Sequence, residues 1–271
     1  MADRRCVVAI CHNLPYVLRE TTQSLMALGW SNRVAEACAA HGFSQIAHAW
    51  YFRSPLVSCL RDAALLDAHQ AGFSHLLFLD ADMIFPDDLL VRMLRHHDRG
   101  IVSGLYVQKQ APYRPIALRD GIEQDGVMWY QHDLGPFDGS LRPQQVVGMG
   151  CTLVPLSVLD AIGPRPWFEY QHDANGWPTV SEDVPFCQRA GAAGVGIWLD
   201  PTVKCGHCRT EVKTDLHWTR YAQSIAASET AGMQVKVTHG HHDAQGDHRS
   251  ISGDLRRGDA RSPSDASPVL A

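Results

Sequence analysis

The sequence predicts an α/β fold built on a mostly parallel sheet flanked by helices, with a smaller mixed hairpin or flap region. Three observations predict it. Short apolar runs bounded by turn residues recur at 6–11, 75–79 and 101–107, the pattern of strands buried on both faces. Helix-patterned stretches separate these runs, as a doubly wound sheet requires. The segment 108–148 breaks that alternation with Pro, Gly, Trp and Tyr-rich short pieces, which read as hairpins over a sheet edge.

Taken in order, a first strand at 6–11 ends at His12, Asn13, Leu14 and Pro15. Helices near 16–28 and 32–41 lead to a second strand near 43–52. A long helix follows at about 56–70 and stops at Gly72, a residue suited to the left-handed position past a helix end. The third strand, 75–79, runs into Asp80-Ala81-Asp82-Met83. The next helix is expected to carry Pro86 in its first turn, Asp87 and Asp88 at its positive end, and His96 and His97 at its negative end, with Gly100 beyond. After the strand at 101–107 and the irregular segment, Gly148 to Val154 reads as a strand and 155–162 as a helix. A helix at 181–192, a strand at 195–199 and a last helix at about 214–231 complete the pattern. From about residue 237 large apolar residues are almost absent. Residues 1–236 therefore read as one domain, and 237–271 as a disordered His, Asp and Ser-rich tail.

Composition excludes several classes. The 271 residues are 45% hydrophobic and 20% charged, enough for one large core. A net charge of −5 gives no general attraction to nucleic acid. No apolar stretch approaches the ~18 residues of a membrane-spanning helix, and the amino terminus reads as a strand rather than a secretion signal. Eight scattered cysteines, mostly in apolar settings, suit a reduced, cytoplasmic protein.

Three constellations carry chemistry. Asp80 and Asp82, at i and i+2 past the end of a buried strand, stand where open α/β sheets bind ligands, and such a pair can share a hard divalent cation that in turn binds phosphate. Ser181-Glu182-Asp183 opens a helix. Serine suits an N-cap and acids suit the first turn, yet a carboxylate held there also stays ionised, as a general base must. Cys205-Gly206-His207-Cys208 has three readings: a redox pair, half of a zinc site, or His207 alone as a ligand beside the aspartates, where imidazole with carboxylates suits Mn²⁺. Trp129, Tyr130, Trp167, Phe168, Tyr170 and Trp177 offer aromatic faces for a sugar, or equally core packing. Gly148-Met149-Gly150 would allow a close backbone approach to a ligand, or mark a bulge.

A strand ending in D-x-D, an E-D pair about a hundred residues later and a Gly-His after the last core strand together resemble GT-A glycosyltransferases, in particular family 2-like enzymes of bacterial and phage type. Ile10, Cys11, His12 and Asn13, then Leu18 and Arg19, then Ser24 and Leu25, with Leu60 and Arg61 ahead of D-x-D, are also similar to polypeptide N-acetylgalactosaminyltransferases. Those enzymes carry D-x-H and a lectin domain, whereas this chain has Asp82 and no lectin domain is read in it.

The resemblance implies a GT-A, Rossmann-like fold and metal-dependent transfer of a sugar from a nucleoside-diphosphate sugar, of UDP type, to an acceptor hydroxyl. It implies His12, Asn13, Arg61 and Asp80 on the nucleotide side, and Asp80, Asp82 and His207 around Mn²⁺ or Mg²⁺. It implies Asp183, with Glu182 beside it, as the catalytic acidic pair. The acceptor is open among a glycan, a lipid-linked sugar, a protein or a modified nucleic acid, and the setting is cytoplasmic, host cytoplasm included for a virus-encoded chain. Three rivals stand beside this reading. A nucleotidyltransferase also pairs aspartates with Mg²⁺, but would bring a Gly-rich turn where His12-Asn13-Leu14-Pro15 stands. A catalytically inactive nucleotide-sugar-binding module would keep the fold without the chemistry. A phage enzyme glycosylating a modified DNA base would need a local basic groove.

Overall fold

The computed structural model describes residues 3–13, 17–28, 32–52, 54–124 and 127–208, with isolated positions between 212 and 223. The expected helix at 214–231 falls largely outside the described residues, and the tail at 237–271 falls wholly outside them.

The amino-terminal half alternates much as its sequence pattern dictates. Strand β1 (Arg4–Cys11) leads to helices α1 (Arg19–Ala27) and α2 (Asn32–Ala40), then β2 (Phe43–Tyr51), α3 (Val57–Gln70) and β3 (His75–Asp80). Gly72 adopts φ +72° just beyond α3, in the left-handed region that ends helices cleanly. A short β4 (Met83–Ile84) precedes α4 (Leu89–Leu94), and β5 (Ile101–Leu105) follows. Helix α4 has six residues, shorter than the pattern predicts. Pro86, Asp87 and Asp88 precede it, with the Pro86 carbonyl accepting from the Leu89 N–H at 3.0 Å. His96 and His97 follow it in turns bonded back to Met93 and Leu94.

The irregular segment forms β6 (Ala117–Gln124), β7 (Val127–His132), β8 (Arg142–Pro143) and β9 (Val146–Val147). Antiparallel β7, β6 and β9 make the expected hairpin sheet. Strand β10 (Cys151–Pro155), helix α5 (Val158–Ile162), the hairpin β11 (Gln171–His172) and β12 (Pro178–Val180), and helix α6 (Asp183–Ala192) follow. The chain then enters β13 (Ile197–Lys204), β14 (Gly206–Cys208) and β15 (Val212–Lys213).

The central sheet has seven strands in the order β2-β1-β3-β10-β5-β13-β8. Strands β2, β1, β3, β5 and β13 run in one direction. Two strands oppose them: β8 at the edge, and β10, which inserts between β3 and β5. The sheet is thus mostly parallel, but β3 and β5 are not neighbours as a simple doubly wound half would have them. Alternate residues of each central strand enter opposite cores. Val7, Ala9 and Cys11 of β1 join Leu76 and Phe78 of β3 on one face, with Leu60, Ala64, Leu65 and Ala68 of α3 and Phe186 and Ala190 of α6. Cys6, Val8, Ile10, Leu77 and Leu79 face the other way, onto Leu25, Cys38, Leu90 and Met93 from α1, α2 and α4. Burial on both faces explains why these strands read as continuous apolar runs.

Candidate active site

Parallel pairing brings the carboxyl ends of β1 and β3 together: Cys11 lies in register with Asp80 on one side and Tyr51 on the other. Because β10 runs antiparallel to β3, its leading Gly150 arrives at that same end, where its carbonyl accepts the Asp80 N–H at 3.0 Å. Strand β14 folds back onto β4, pairing His207 with Met83, and the Cys208 N–H donates to the Asp82 carbonyl at 2.7 Å. Residues more than a hundred positions apart thereby meet at one rim.

A cavity of about 630 Å³ opens there. Asn13, Arg61, Asp80, Asp82, Lys109 and His207 line it, with Gln108 and Gln110 from the turn after β5. It lies at the carboxyl end of the parallel strands, where open α/β sheets bind ligands. His12, Glu182 and Asp183 are not among its lining residues. His12 sits with its ring centroid 6.4 Å from that of Trp50, and its buried Nδ1 has no hydrogen-bond partner among the described residues.

Arg61, buried on α3, joins three carboxylates. Its Nη2 donates to both oxygens of Asp80, at 3.0 and 3.2 Å, and its Nη1 donates to Glu182 and to Asp183. Burial opposes the charge on the guanidinium, but Asp183, Asp80 and Glu182 together hold its pKa well above the ordinary value. Glu182 also accepts from the Tyr170 hydroxyl, and Asp183 accepts the Met149 N–H at 3.3 Å. The N-cap position of α6 falls on Glu182 instead of Ser181, and the Glu182 side chain makes no capping bond. Both acids that follow Ser181 serve Arg61, so the pair is more than a helix start. Asp183 keeps 16% side-chain exposure against 5% for Glu182, which makes Asp183 the member with an open face. Burial, with Glu182 and Asp80 adding repulsion, pushes the Asp183 carboxyl up to about 7 against the pull of Arg61. This corrects the expectation of a carboxylate fully ionised at neutral pH: desolvation outweighs the helix terminus. Burial, with repulsion from Asp82, likewise raises Asp80 against the pull of Arg61.

On the opposite wall, Asp82 is shared by two groups. Its Oδ2 pairs with the ammonium of Lys109. Its buried Oδ1 has no hydrogen-bond partner among the described residues and stands 3.8 Å from His207 Nε2. His207 Nδ1 lies 2.7 Å from the Val107 carbonyl, which can only accept, so Nδ1 carries the proton and Nε2 presents its lone pair to Asp82. Burial lowers the His207 pKa despite Asp82, which favours the neutral, ligating form. Among the described residues no three His, Cys, Asp or Glu side chains gather as a metal-binding group. Arg61 draws Asp80 away and Lys109 holds Asp82. The residues nevertheless suit a divalent ion. An unsatisfied carboxylate oxygen faces an imidazole lone pair, and four carboxylates share two cations, Arg61 and Lys109, leaving negative charge for a further cation to offset.

Several expectations are revised. The two cysteines flanking His207 are both free, buried thiols: the Cys205 thiol is raised by its hydrogen bond with the Cys151 thiol and by burial, and burial raises Cys208. Neither is poised for redox work, and the two do not form half of a zinc site. Gly148 and Gly150 make room for Tyr106, not for a ligand. A Cβ at Gly148 would meet the Tyr106 hydroxyl at 2.2 Å, and that hydroxyl accepts the Gly150 N–H at 2.9 Å. Tyr130, Trp167 and Phe168 are core residues, with Phe168 stacked on Phe186. Trp177 stands 71% exposed on the β11–β12 hairpin.

Lys109 and Tyr106 were not anticipated. Lys109 lies four residues past the end of β5, and its place in the turn after a buried strand was the signal available.

No protein-family model matches the sequence, and no curated protein matches it. Solved structures that resemble the chain in fold include the following two. A197 from STIV is 18% identical with a TM-score of 0.47, over 76% of this chain and 86% of that one. GalNAc-T7, solved with UDP, GalNAc and Mn²⁺, is 12% identical with a TM-score of 0.48, over 76% of this chain and 43% of that one. No helix among the described residues is long and apolar enough to cross a membrane.

Proposed function

We propose that this chain is a metal-dependent glycosyltransferase, moving a sugar from a nucleoside-diphosphate sugar of UDP type to an acceptor hydroxyl. One observation carries the reading: on the wall of a strand-end cavity, an unpartnered oxygen of Asp82 faces the bare Nε2 of His207. The two residues would hold Mn²⁺ or Mg²⁺, cations suited to carboxylate and imidazole donors and to phosphate. When bound, the ion would offset the charge that builds on the departing diphosphate.

The chain's own groups do the rest. Asn13 lines the cavity for the nucleotide, and His12 stands at the same strand end. Arg61 holds Asp80, Glu182 and Asp183 in fixed relation, so the acidic pair is set before the acceptor arrives. Asp183, with its open face and a pKa near the working pH, takes the proton from the acceptor hydroxyl as that oxygen attacks the anomeric carbon. Glu182, more deeply buried, keeps Arg61 in place. Residues 1–236 form the catalytic domain, with 237–271 dispensable for the chemistry.

The test is a screen of nucleotide sugars with Mn²⁺, reading slow diphosphate release without acceptor. Release from one UDP-sugar that stops on chelation supports the reading. Binding of nucleotide sugars with no release from any of them would make the chain a binding module.

A further inference from the structure

Lys109 rides on a turn whose base is fixed. Val107 bridges Pro115, the Gln108 N–H donates to the Arg114 carbonyl at 2.9 Å, and the Tyr113 N–H donates to the Gln110 carbonyl at 2.9 Å. The turn thus holds the lysine backbone at the cavity rim while its four-carbon stem stays free to swing. The ammonium pairs with Asp82 Oδ2, and one third of the side chain is exposed. Arg61, the other cation lining the cavity, is committed to three carboxylates. Lys109 therefore has a single carboxylate partner, and that partner is the residue on which a divalent ion would sit.

We propose that Lys109 is an exchange cation. In the free protein it neutralises Asp82 in place of the metal. When metal and nucleotide enter, it releases Asp82 and binds a phosphate oxygen of the diphosphate. This rests on the metal and nucleotide reading above and deepens it, because it makes metal and nucleotide binding mutually dependent through one side chain. Charge repulsion favours the exchange, because an ion between Asp82 Oδ1 and His207 would stand beside the ammonium on Oδ2 of the same carboxylate. A divalent ion and an ammonium compete for one carboxylate, whereas an arriving diphosphate offers the displaced ammonium new anionic oxygens. Coupling of this kind is reciprocal: each ligand raises affinity for the other by the same factor.

The test compares wild type with Lys109→Gln and Lys109→Arg. Free Mn²⁺ is followed by electron paramagnetic resonance without nucleotide, and UDP binding by calorimetry at saturating Mn²⁺. Lys109→Gln should bind Mn²⁺ alone about tenfold tighter and UDP about tenfold weaker, about the size of one charged hydrogen bond in each case. Lys109→Arg, which keeps the charge, should lie near wild type in both. Thermal melting checks that each variant is folded. Unchanged Mn²⁺ affinity in Lys109→Gln would overturn the exchange, even if UDP weakened, since Lys109 would then be a phosphate contact only. If wild type binds UDP without any help from Mn²⁺, the underlying metal reading fails with it.

Discussion

His207 donates its Nδ1 proton to the carbonyl of Val107 and so turns the lone pair of Nε2 toward Asp82 Oδ1, 3.8 Å away. The carbonyl belongs to the second residue past the end of β5, and the histidine to β14, which is paired with β4 beside Asp82. Backbone geometry therefore fixes the tautomer of a side chain that would otherwise be free to choose. Orienting contacts of this kind make an imidazole a dependable ligand.

Arg61 should matter first to stability. Its replacement by Ala would leave the buried Glu182 and the half-buried Asp80 and Asp183 without their cation. Breaking a buried ion pair from one side costs about 3–5 kcal/mol. In a domain of this size that is a fall of roughly 6–20 °C in Tm. Adding Glu182→Gln to Arg61→Ala should recover part of it, because one uncompensated charge is removed. Melting followed by circular dichroism checks both, and an unchanged Tm in Arg61→Ala would show that the guanidinium is not what neutralises the cluster.

Gly148→Ala should destabilise the fold by about 1–3 kcal/mol, the usual cost of overpacking. The added methyl would meet the Tyr106 hydroxyl at 2.2 Å and Ile116 at 2.7 Å. Tyr106→Phe in the same chain removes the nearer obstacle and should return part of the loss, a coupling that denaturant titration of the double-mutant cycle would read.

Much of this arrangement was legible in the sequence, and the exceptions have physical causes. Strand β3 and its two aspartates stood out because an apolar run bounded by turn signals has few alternatives. The direction of β10 could not be read, since an apolar run buried on both faces carries no information on polarity. Helix α4 was overestimated because Pro86, Asp87 and Asp88 suit a helix start and a preceding turn equally well. Lys109 lay in a segment without periodicity. The clustering of three carboxylates around Arg61 depends on pairings between distant strands and helices, which no local pattern encodes.

Asp183 should set the pH dependence of transfer. With its carboxyl raised to about 7, it is mainly protonated at pH 6 and cannot accept a proton there. The rate should rise with pH, tenfold per unit well below 7, and level off above it. Asp183→Asn should lower transfer by about 10²–10⁴ and abolish that limb, while UDP affinity stays near wild type. Loss of UDP binding in Asp183→Asn would assign the residue to supporting the nucleotide site instead.

The central claim is that Asp82 and His207 hold a divalent ion that joins the protein to the nucleotide. Calorimetry of UDP binding, with and without Mn²⁺, to wild type and Asp82→Ala tests it most directly. Mn²⁺ should raise UDP affinity at least about tenfold in wild type, the worth of one charged contact, and leave Asp82→Ala unaffected. Equal UDP affinity with and without Mn²⁺ in wild type, or an undiminished metal effect in Asp82→Ala, would contradict it.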